Sequence, residues 1–251
     1  MEFFYACFLF LYGIICGSFF NVVGRRMPAG ESFTYSRSKC PHCSHHLKSS
    51  DLIPLLSYVM LLGKCRYCHK PISFLYPSVE LLTGIMFAVS FLTFGWSYEF
   101  AGALLLITLS MIILVSDLLY MLIPNKLLLF YLPLFILYRI VYPLEPWFGS
   151  VFGAVGAAIL LAVIIIVSKG GMGAGDMKLM GLLGIMFGFQ QALLIFILAL
   201  FTGAVISLTL LSVRMISRSK PVPFGPYIAT GALLTYFKGE ELMAWYSFFF
   251  H

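Results

Sequence analysis

The chain has 251 residues, of which 61% are hydrophobic and only 10% are charged, with a mean hydropathy of +0.98 and a net charge of +6. Soluble domains carry about a quarter charged residues, so this composition excludes an ordinary soluble globular protein. Several apolar runs approach the ~20 residues with which a helix crosses the ~30 Å hydrocarbon core of a bilayer. The composition therefore predicts an all-α, polytopic membrane protein.

Eight transmembrane helices are expected along the chain. The first apolar run lacks a basic region before it and a small-residue cleavage site after it, which favours a retained helix over a cleaved signal peptide. We divide the chain into a first transmembrane helix (1–23), a polar loop domain (24–77) and a transmembrane core (78–251). The helical segments cover about 3–23, 78–95, 100–117, 126–142, 149–167, 177–189, 191–213 and 224–237.

The positions of the basic residues predict the orientation. If the N-terminus lies outside, every Lys and Arg except Arg139 and Lys238 falls in a cytoplasmic segment, among them Arg214, Arg218 and Lys220. This asymmetry follows the positive-inside rule. The net positive charge then reflects topology and contact with anionic membrane lipids, and it does not indicate direct binding of nucleic acid.

The polar loop contains two C-x-x-C pairs, Cys40 with Cys43 and Cys65 with Cys68, separated by 21 residues. Four thiolates at this spacing are typical of a structural zinc site, which closes the coordination sphere of the metal and takes no part in catalysis. The cytosolic position predicted for the loop disfavours disulfides. A redox-active dithiol and unliganded cysteines are the alternatives.

Two aspartates are the main candidates for chemistry. Asp117 ends the third predicted helix, Asp176 begins the sixth, and the predicted topology places both at the cytoplasmic membrane edge. An ionisable group at membrane depth is costly and is therefore a functional candidate. Two carboxyl groups that share one proton can activate water on one side of a peptide bond and polarise its carbonyl on the other.

Glycines at positions 170, 171, 173 and 175 precede Asp176, and they allow the close backbone approach that would bring it beside Asp117 and leave room for an extended substrate. Purely structural roles are the alternative. Asp176 stands where a helix N-cap is expected, and Asp117 could pair with Lys126 or Lys178.

The chain resembles the type IV prepilin leader peptidases, especially the competence-type members of Gram-positive bacteria. The resemblance rests on motifs spread over almost the whole chain, with G-x-G-D and D-x6-P-N the most specific. They are Gly17-Ser-Phe-Phe-Asn-Val-Val, the two C-x-x-C pairs, Tyr76-Pro-Ser-Val-Glu80-Leu-Leu, Asp117 with Ile-Pro-Asn125, Gly173-Ala-Gly-Asp176-Met-Lys178 and Pro223-Phe-Gly-Pro-Tyr.

The resemblance implies that Asp117 and Asp176 are the catalytic pair of an aspartic endopeptidase in the bacterial cytoplasmic membrane. Its substrates would be prepilins or pseudopilins that carry a short basic leader, a glycine before the cut and a hydrophobic helix after it. Many family members also methylate the new N-terminus with S-adenosylmethionine, although the sequence contains no Gly-rich nucleotide loop of the Rossmann type. Such processing serves type IV pilus assembly, DNA uptake in competence or protein secretion.

Further substrate-binding candidates are Gly173, Gly175, Glu80 and Lys178. Glu80 could receive the new amine of the substrate or pair with a basic residue of the loop, and Lys178 could simply extend to the membrane interface. Two other readings of the chain compete with this one. The aspartates could belong to an intramembrane protease of the presenilin or signal-peptide-peptidase type, or to the proton relay of a transporter.

Overall fold

The computed structural model describes residues 1–33, 37–169, 171–213 and 222–250. These residues form helices and no strand, and two isolated β-bridges occur in the polar loop. The all-α prediction is confirmed for this part of the chain. The helices are α1 (Glu2–Arg26), α2 (Leu56–Met60), α3 (Leu75–Phe94), α4 (Tyr98–Tyr120), α5 (Asn125–Val141), α6 (Gly149–Val167), α7 (Ala174–Ser212) and α8 (Gly225–Phe250), with a 3₁₀ turn at Ser49–Leu52.

Five of the described helices, α1, α3, α4, α6 and α7, are long and apolar enough to cross a bilayer. The chain is thus a multi-pass membrane protein, while the number of eight spans stays a prediction. The predicted segments 177–189 and 191–213 correspond to the two parts of α7, which is two helices joined across a kink at Gly188, close to the predicted break. Gly188 has a φ of 75° and a ψ of 172°, a backbone conformation that residues other than glycine rarely adopt.

The chain forms two compact units, Met1–Val115 and Ser116–His251. The predicted boundaries at residues 23 and 77 separate membrane segments from the polar loop, which is a different property from compactness, so they stay a prediction.

In the first unit α1 packs against α3, and Gly13 and Gly17 allow this close contact. A Cβ atom on Gly13 would lie 2.8 Å from the Gly84 Cα, and one on Gly17 would lie 2.8 Å from the Glu80 Cα.

In the second unit α6 and α7 pack with their backbones in contact. A Cβ atom on Gly153 would overlap the carbonyl oxygen of Gly184, and a Cβ atom on Gly184 would overlap the carbonyl oxygen of Gly153. Small residues at such crossings let membrane helices approach closely, because van der Waals contact is the main attraction between helices in lipid. The packing of α6 therefore holds the first half of α7 in place.

Arg139 of α5 stabilises the interruption of α7. Its Nε atom donates to the Met186 carbonyl at 2.6 Å, a second guanidinium nitrogen also donates to that carbonyl, and Nη1 donates to the Tyr142 carbonyl at 3.1 Å. A helix end leaves carbonyls without N–H partners, and a buried carbonyl needs such a donor. Arg139 supplies it just before Gly188.

We expect the substitution Arg139→Gln to lower the free energy of unfolding by about 1–3 kcal/mol, because the Met186 carbonyl loses its charged donor. Unfolding in detergent micelles, followed by circular dichroism, measures this. Lys238→Gln is the control, since Lys238 forms an exposed ion pair with Glu241 and its loss should cost no more than about 0.5 kcal/mol. Equal losses in the two variants would contradict the role of Arg139.

Candidate active site and metal centre

Asp117 lies in the last turn of α4 and is buried, with 5% of its surface exposed. Its Oδ2 atom accepts a hydrogen bond from the backbone N–H of Gly225 at 2.8 Å. Gly225 is the first residue of α8, so this bond ties the end of α4 to the start of α8. This segment belongs to the motif Pro223-Phe-Gly-Pro-Tyr, which contributed to the family resemblance, but the sequence predicted no role for Gly225.

Asp176 is the third residue of α7 and is also buried, with 8% of its surface exposed. Its Oδ2 atom accepts a hydrogen bond from the N–H of Gly173 at 3.1 Å. Gly173, and not Asp176, is the N-cap residue, and Asp176 completes the cap from within the first turn. The expectation that Asp176 is the N-cap is therefore wrong, because α7 begins at Ala174, and the capping bond that Asp176 does form occupies only one of its two carboxyl oxygens.

The two aspartates belong to the same compact unit, and the charge of Asp117 acts on the carboxyl of Asp176. Within the described ranges, neither aspartate forms an ion pair, and neither Oδ1 atom has a hydrogen-bond partner. Lys178 instead donates to the Asn125 side chain at 2.9 Å. The alternative in which Asp117 pairs with Lys126 or Lys178 is thus not found. Each carboxyl has one oxygen fixed by a backbone N–H and one oxygen left for chemistry.

The glycines before Asp176 allow this arrangement. A Cβ atom on Gly175 would lie 3.2 Å from the Ile123 Cβ, in the segment that links Asp117 to α5. A Cβ atom on Gly173 would lie 3.2 Å from Oδ2 of Asp176 itself. Side chains at these positions would push Asp176 away from the end of α4. Gly171 lies near Ser168, and Gly170 lies outside the described residues.

A mostly apolar groove of about 560 Å³ begins next to this site. Lys178 and Asn125 form its polar end, two residues after Asp176 and at the start of α5. Its mostly apolar lining suits an apolar ligand segment, and its polar groups lie at Lys178 and Asn125. The remaining lining residues are Leu128, Leu129, Leu132, Ala154, Gly181, Leu182 and Ile185.

The four cysteines of the loop form one cluster in the first unit. Their sulfur atoms all lie within 4.8 Å of one another, and the Sγ atoms of Cys40 and Cys68 are 3.8 Å apart. Four sulfurs at about 2.3 Å from a tetrahedral zinc ion lie about 3.8 Å from one another. The cluster therefore fits the metal predicted for it.

The two C-x-x-C pairs also share one backbone design. The residue after each pair, Ser44 or His69, has a φ of 56° and donates its N–H to the carbonyl of the first cysteine at 2.9 Å. Burial opposes ionisation of the Cys40 thiol, but hydrogen bonds from the backbone N–H groups of Cys43 and His42 and from the thiols of Cys65 and Cys43 together lower its pKa to about 7. Such N–H donors stabilise the thiolate form that binds metal.

Glu80 lies in α3 of the first unit and is buried. Its Oε2 atom accepts a hydrogen bond from the Leu55 N–H at 2.8 Å. In the described part of the chain it pairs with no Lys or Arg, so the expected partner from the basic loop is not found. The structure thus groups Gly173, Gly175 and Lys178 with the aspartates and places Glu80 in the other unit.

Comparison with known proteins gives matches over both units. The model of the Bacterial Peptidase A24 N-terminal domain matches residues 11–94, and that of the Type IV leader peptidase family matches residues 103–208. A prepilin leader peptidase/N-methyltransferase of Bacillus subtilis is 37% identical over 95% of this chain and 96% of its own length. Proteins of the same name from Aeromonas hydrophila and Pseudomonas aeruginosa are each 32% identical, over 96% and 94% of this chain and 93% and 91% of their own lengths. No solved structure gives a significant match.

We expect Gly175→Ala to destabilise the protein, because the added methyl group would press on Ile123 and displace the start of α7. Gly181→Ala in the same helix is the control, since its Cβ would make only ordinary contacts at 3.4 Å or more. Alanine favours a helix over glycine by up to about 1 kcal/mol, so the control should unfold at the same temperature or higher. Thermal unfolding in micelles compares the two. A melting temperature for Gly175→Ala at or above that of the control would contradict the close approach.

Proposed function

Because the chain belongs to the type IV leader peptidase family, we propose that Asp117 and Asp176 are the residues that cut its substrates. The chain is a prepilin leader peptidase and N-methyltransferase: it removes the leader of type IV prepilins and methylates the N-terminus that the cut exposes. One observation above all supports the assignment of the aspartates. Both carboxyls are buried in one unit, each with one oxygen held by a backbone N–H and without an ion pair among the described residues.

The mechanism follows from the properties of such a pair. Two carboxyl groups close together hold one proton between them, because two negative charges at short range repel. The ionised group removes a proton from a water molecule, whose oxygen attacks the scissile carbonyl carbon. The protonated group donates its proton to the carbonyl oxygen. When the C–N bond breaks, the leaving nitrogen takes up a proton, and the products are the leader with a new carboxylate and the mature protein with a new amine.

The backbone donors fix the geometry that this reaction needs. The N–H groups of Gly225 and Gly173 hold the Oδ2 atoms, so the two Oδ1 atoms remain for water and substrate. Gly173 and Gly175 leave space for the extended cleavage segment. The apolar groove that starts at Lys178 suits the hydrophobic helix that follows the cut, and the Lys178 ammonium would stay at the polar end beside Asn125.

We further propose eight transmembrane helices, with the N-terminus outside the cytoplasmic membrane and the aspartates at its inner edge. The placement of the basic residues supports this orientation, although Arg214, Arg218 and Lys220 lie outside the described residues. A short basic leader that stays in the cytosol would then reach the aspartates directly. Membership of the family also decides against the presenilin-type and transporter readings.

Zinc is proposed as a structural ion of Cys40, Cys43, Cys65 and Cys68. Four thiolates close its coordination sphere, so the ion would hold the two C-x-x-C turns together and leave the cutting to the aspartates. S-adenosylmethionine would supply the methyl group. The described residues form no strand and hence no Rossmann-type nucleotide site, and no residue of the chain is assigned to holding this donor.

Asp117→Asn and Asp176→Asn should each reduce leader removal by a factor of about 10² to 10⁴ or more, because each removes one half of the acid–base pair. The measurement is a gel-shift assay in cells that co-express a prepilin, with equal membrane levels of every enzyme confirmed by immunoblot. Glu240→Gln, a change of an exposed carboxylate in α8, should cut like the wild type. If both aspartate variants still remove the leader at the normal rate, the assignment of the pair is wrong.

Purified protein should contain about one zinc ion per chain, measured by elemental mass spectrometry. Cys65→Ser should lose the ion and expose the loop to protease, because a structural zinc site contributes its binding energy directly to folding. Cys16→Ser should keep both the zinc and the protease resistance, since Cys16 lies in α1 outside the cluster. A normal zinc content in Cys65→Ser would exclude the proposed site.

A further inference from the structure

A cluster of buried polar groups lies between α1 and α3, apart from the aspartates. Asn21 of α1 is 2% exposed, and its Nδ2 atom donates to the backbone carbonyl of Tyr76 at 3.1 Å. Glu80 of α3 is 7% exposed, and its Oε2 atom accepts a hydrogen bond from the Leu55 N–H at 2.8 Å. The cleavage mechanism uses none of these groups.

Asn21 leaves one atom of this cluster without a partner. Its Oδ1 atom is buried, and no donor reaches it from the described residues. The donation from Nδ2 to the Tyr76 carbonyl fixes which side of the amide carries the oxygen. A buried acceptor without a hydrogen bond is unfavourable, so this position suits a ligand that brings an N–H or O–H group.

The backbone above Glu80 is strained. Leu55 has φ of 58° and ψ of −50°, a conformation that a branched side chain rarely adopts, and its N–H donates to Glu80. Backbone strain of this kind persists where the surrounding contacts enforce it, and it concentrates at functional sites. The Leu55 N–H thus bonds to the Glu80 carboxylate from a strained backbone conformation. A charged donor from a ligand could replace the Leu55 N–H in this hydrogen bond.

The chemistry of the cluster selects a cationic donor. Glu80 offers a carboxylate and Asn21 an amide oxygen, and neither pairs with Lys or Arg in the described parts of the chain. Gly17 and Asn21 are one helical turn apart on α1, and so are Tyr76 and Glu80 on α3. Gly17 packs on Glu80 and Asn21 bonds to the Tyr76 carbonyl, so the two acceptor side chains start from adjacent turns of neighbouring helices. A primary ammonium group has three N–H donors, so one such group can bond to both kinds of acceptor.

We propose that Asn21 and Glu80 bind the free α-amino group of the mature protein after the leader has been removed. This inference rests on the proposed function, because that cut creates the amine and methylation acts on it. The aspartates lie within the region matched by the peptidase model, whereas Asn21 and Glu80 lie within the region matched by the N-terminal domain model. Cleavage and amine binding are thus assigned to different parts of the chain.

The test measures amine binding without any turnover. A fluorescent peptide with the N-terminal sequence of a leaderless prepilin is titrated against the purified full-length protein in micelles, alongside the same peptide with an acetylated N-terminus. We expect the wild type to bind the free amine at least about tenfold more tightly, the size of effect expected for one buried charged hydrogen bond. Glu80→Gln and Asn21→Leu should lose this preference. Ser90→Ala, which changes another buried polar residue of α3, should keep it.

A second assay separates the two proposals. In cells with a full-length prepilin, mass spectrometry of the cut protein measures the fraction of N-termini that are methylated, and this fraction should fall strongly in Glu80→Gln and Asn21→Leu and stay normal in Ser90→Ala. Equal affinity of the wild type for the free and acetylated peptides would overturn the inference even if neither variant folds. A normal preference for the free amine in both variants would also overturn it. Displacement of the fluorescent peptide by the basic leader peptide alone would do the same, because the cluster would then bind side chains of the leader. Failure of the wild type to remove the leader would instead refute the proposed cleavage function.

Discussion

The candidate active site depends on the need to give each buried carboxyl group a hydrogen-bond donor inside an apolar protein. The Gly225 N–H meets the Asp117 carboxyl, and the Gly173 N–H meets that of Asp176. Both donors are backbone groups at the N-terminal ends of helices, where N–H groups lack partners within the helix. A cation at either position would neutralise the carboxyl and occupy it. Backbone donors hold one oxygen and leave the other able to exchange protons.

This solution requires the backbone to come close to the carboxyl groups, and the glycines of the G-x-G-D motif permit that. Gly175 allows the start of α7 to pack on Ile123, and Gly173 leaves room for the carboxyl that it caps. The kink at Gly188 and the contact of Gly153 with Gly184 hold the other end of the first half of α7. In a membrane protein such contacts replace much of the hydrophobic driving force of a soluble core.

The two units contain different sets of buried polar groups. Among the described residues, the second unit keeps its two buried aspartates without an ion pair, which suits the proposed hydrolysis of a peptide bond. The first unit holds a thiolate cluster and, between α1 and α3, an acceptor-rich cluster around Asn21 and Glu80. An acceptor-rich interior suits the amine that hydrolysis releases. Under the two proposals, the second unit makes the new N-terminus and the first unit recognises it.

The sequence by itself determined the features that follow from composition and local pattern. Apolar runs implied membrane helices, the C-x-x-C spacing implied the sulfur cluster, and the rarity of acids within apolar segments singled out Asp117 and Asp176. These conclusions needed no knowledge of packing, because lipid and metal impose strict local requirements. Only the tertiary structure decided the partners across the chain. Gly225 lies 108 positions from Asp117, so no local pattern predicts their hydrogen bond. The same holds for the hydrogen bond of Lys178 to Asn125 and for that of Leu55 to Glu80. The buried Asn21 oxygen, which has no partner among the described residues, could not be predicted either. Such contacts depend on how helices approach one another, which is set by close backbone packing and not by the periodicity of any single segment.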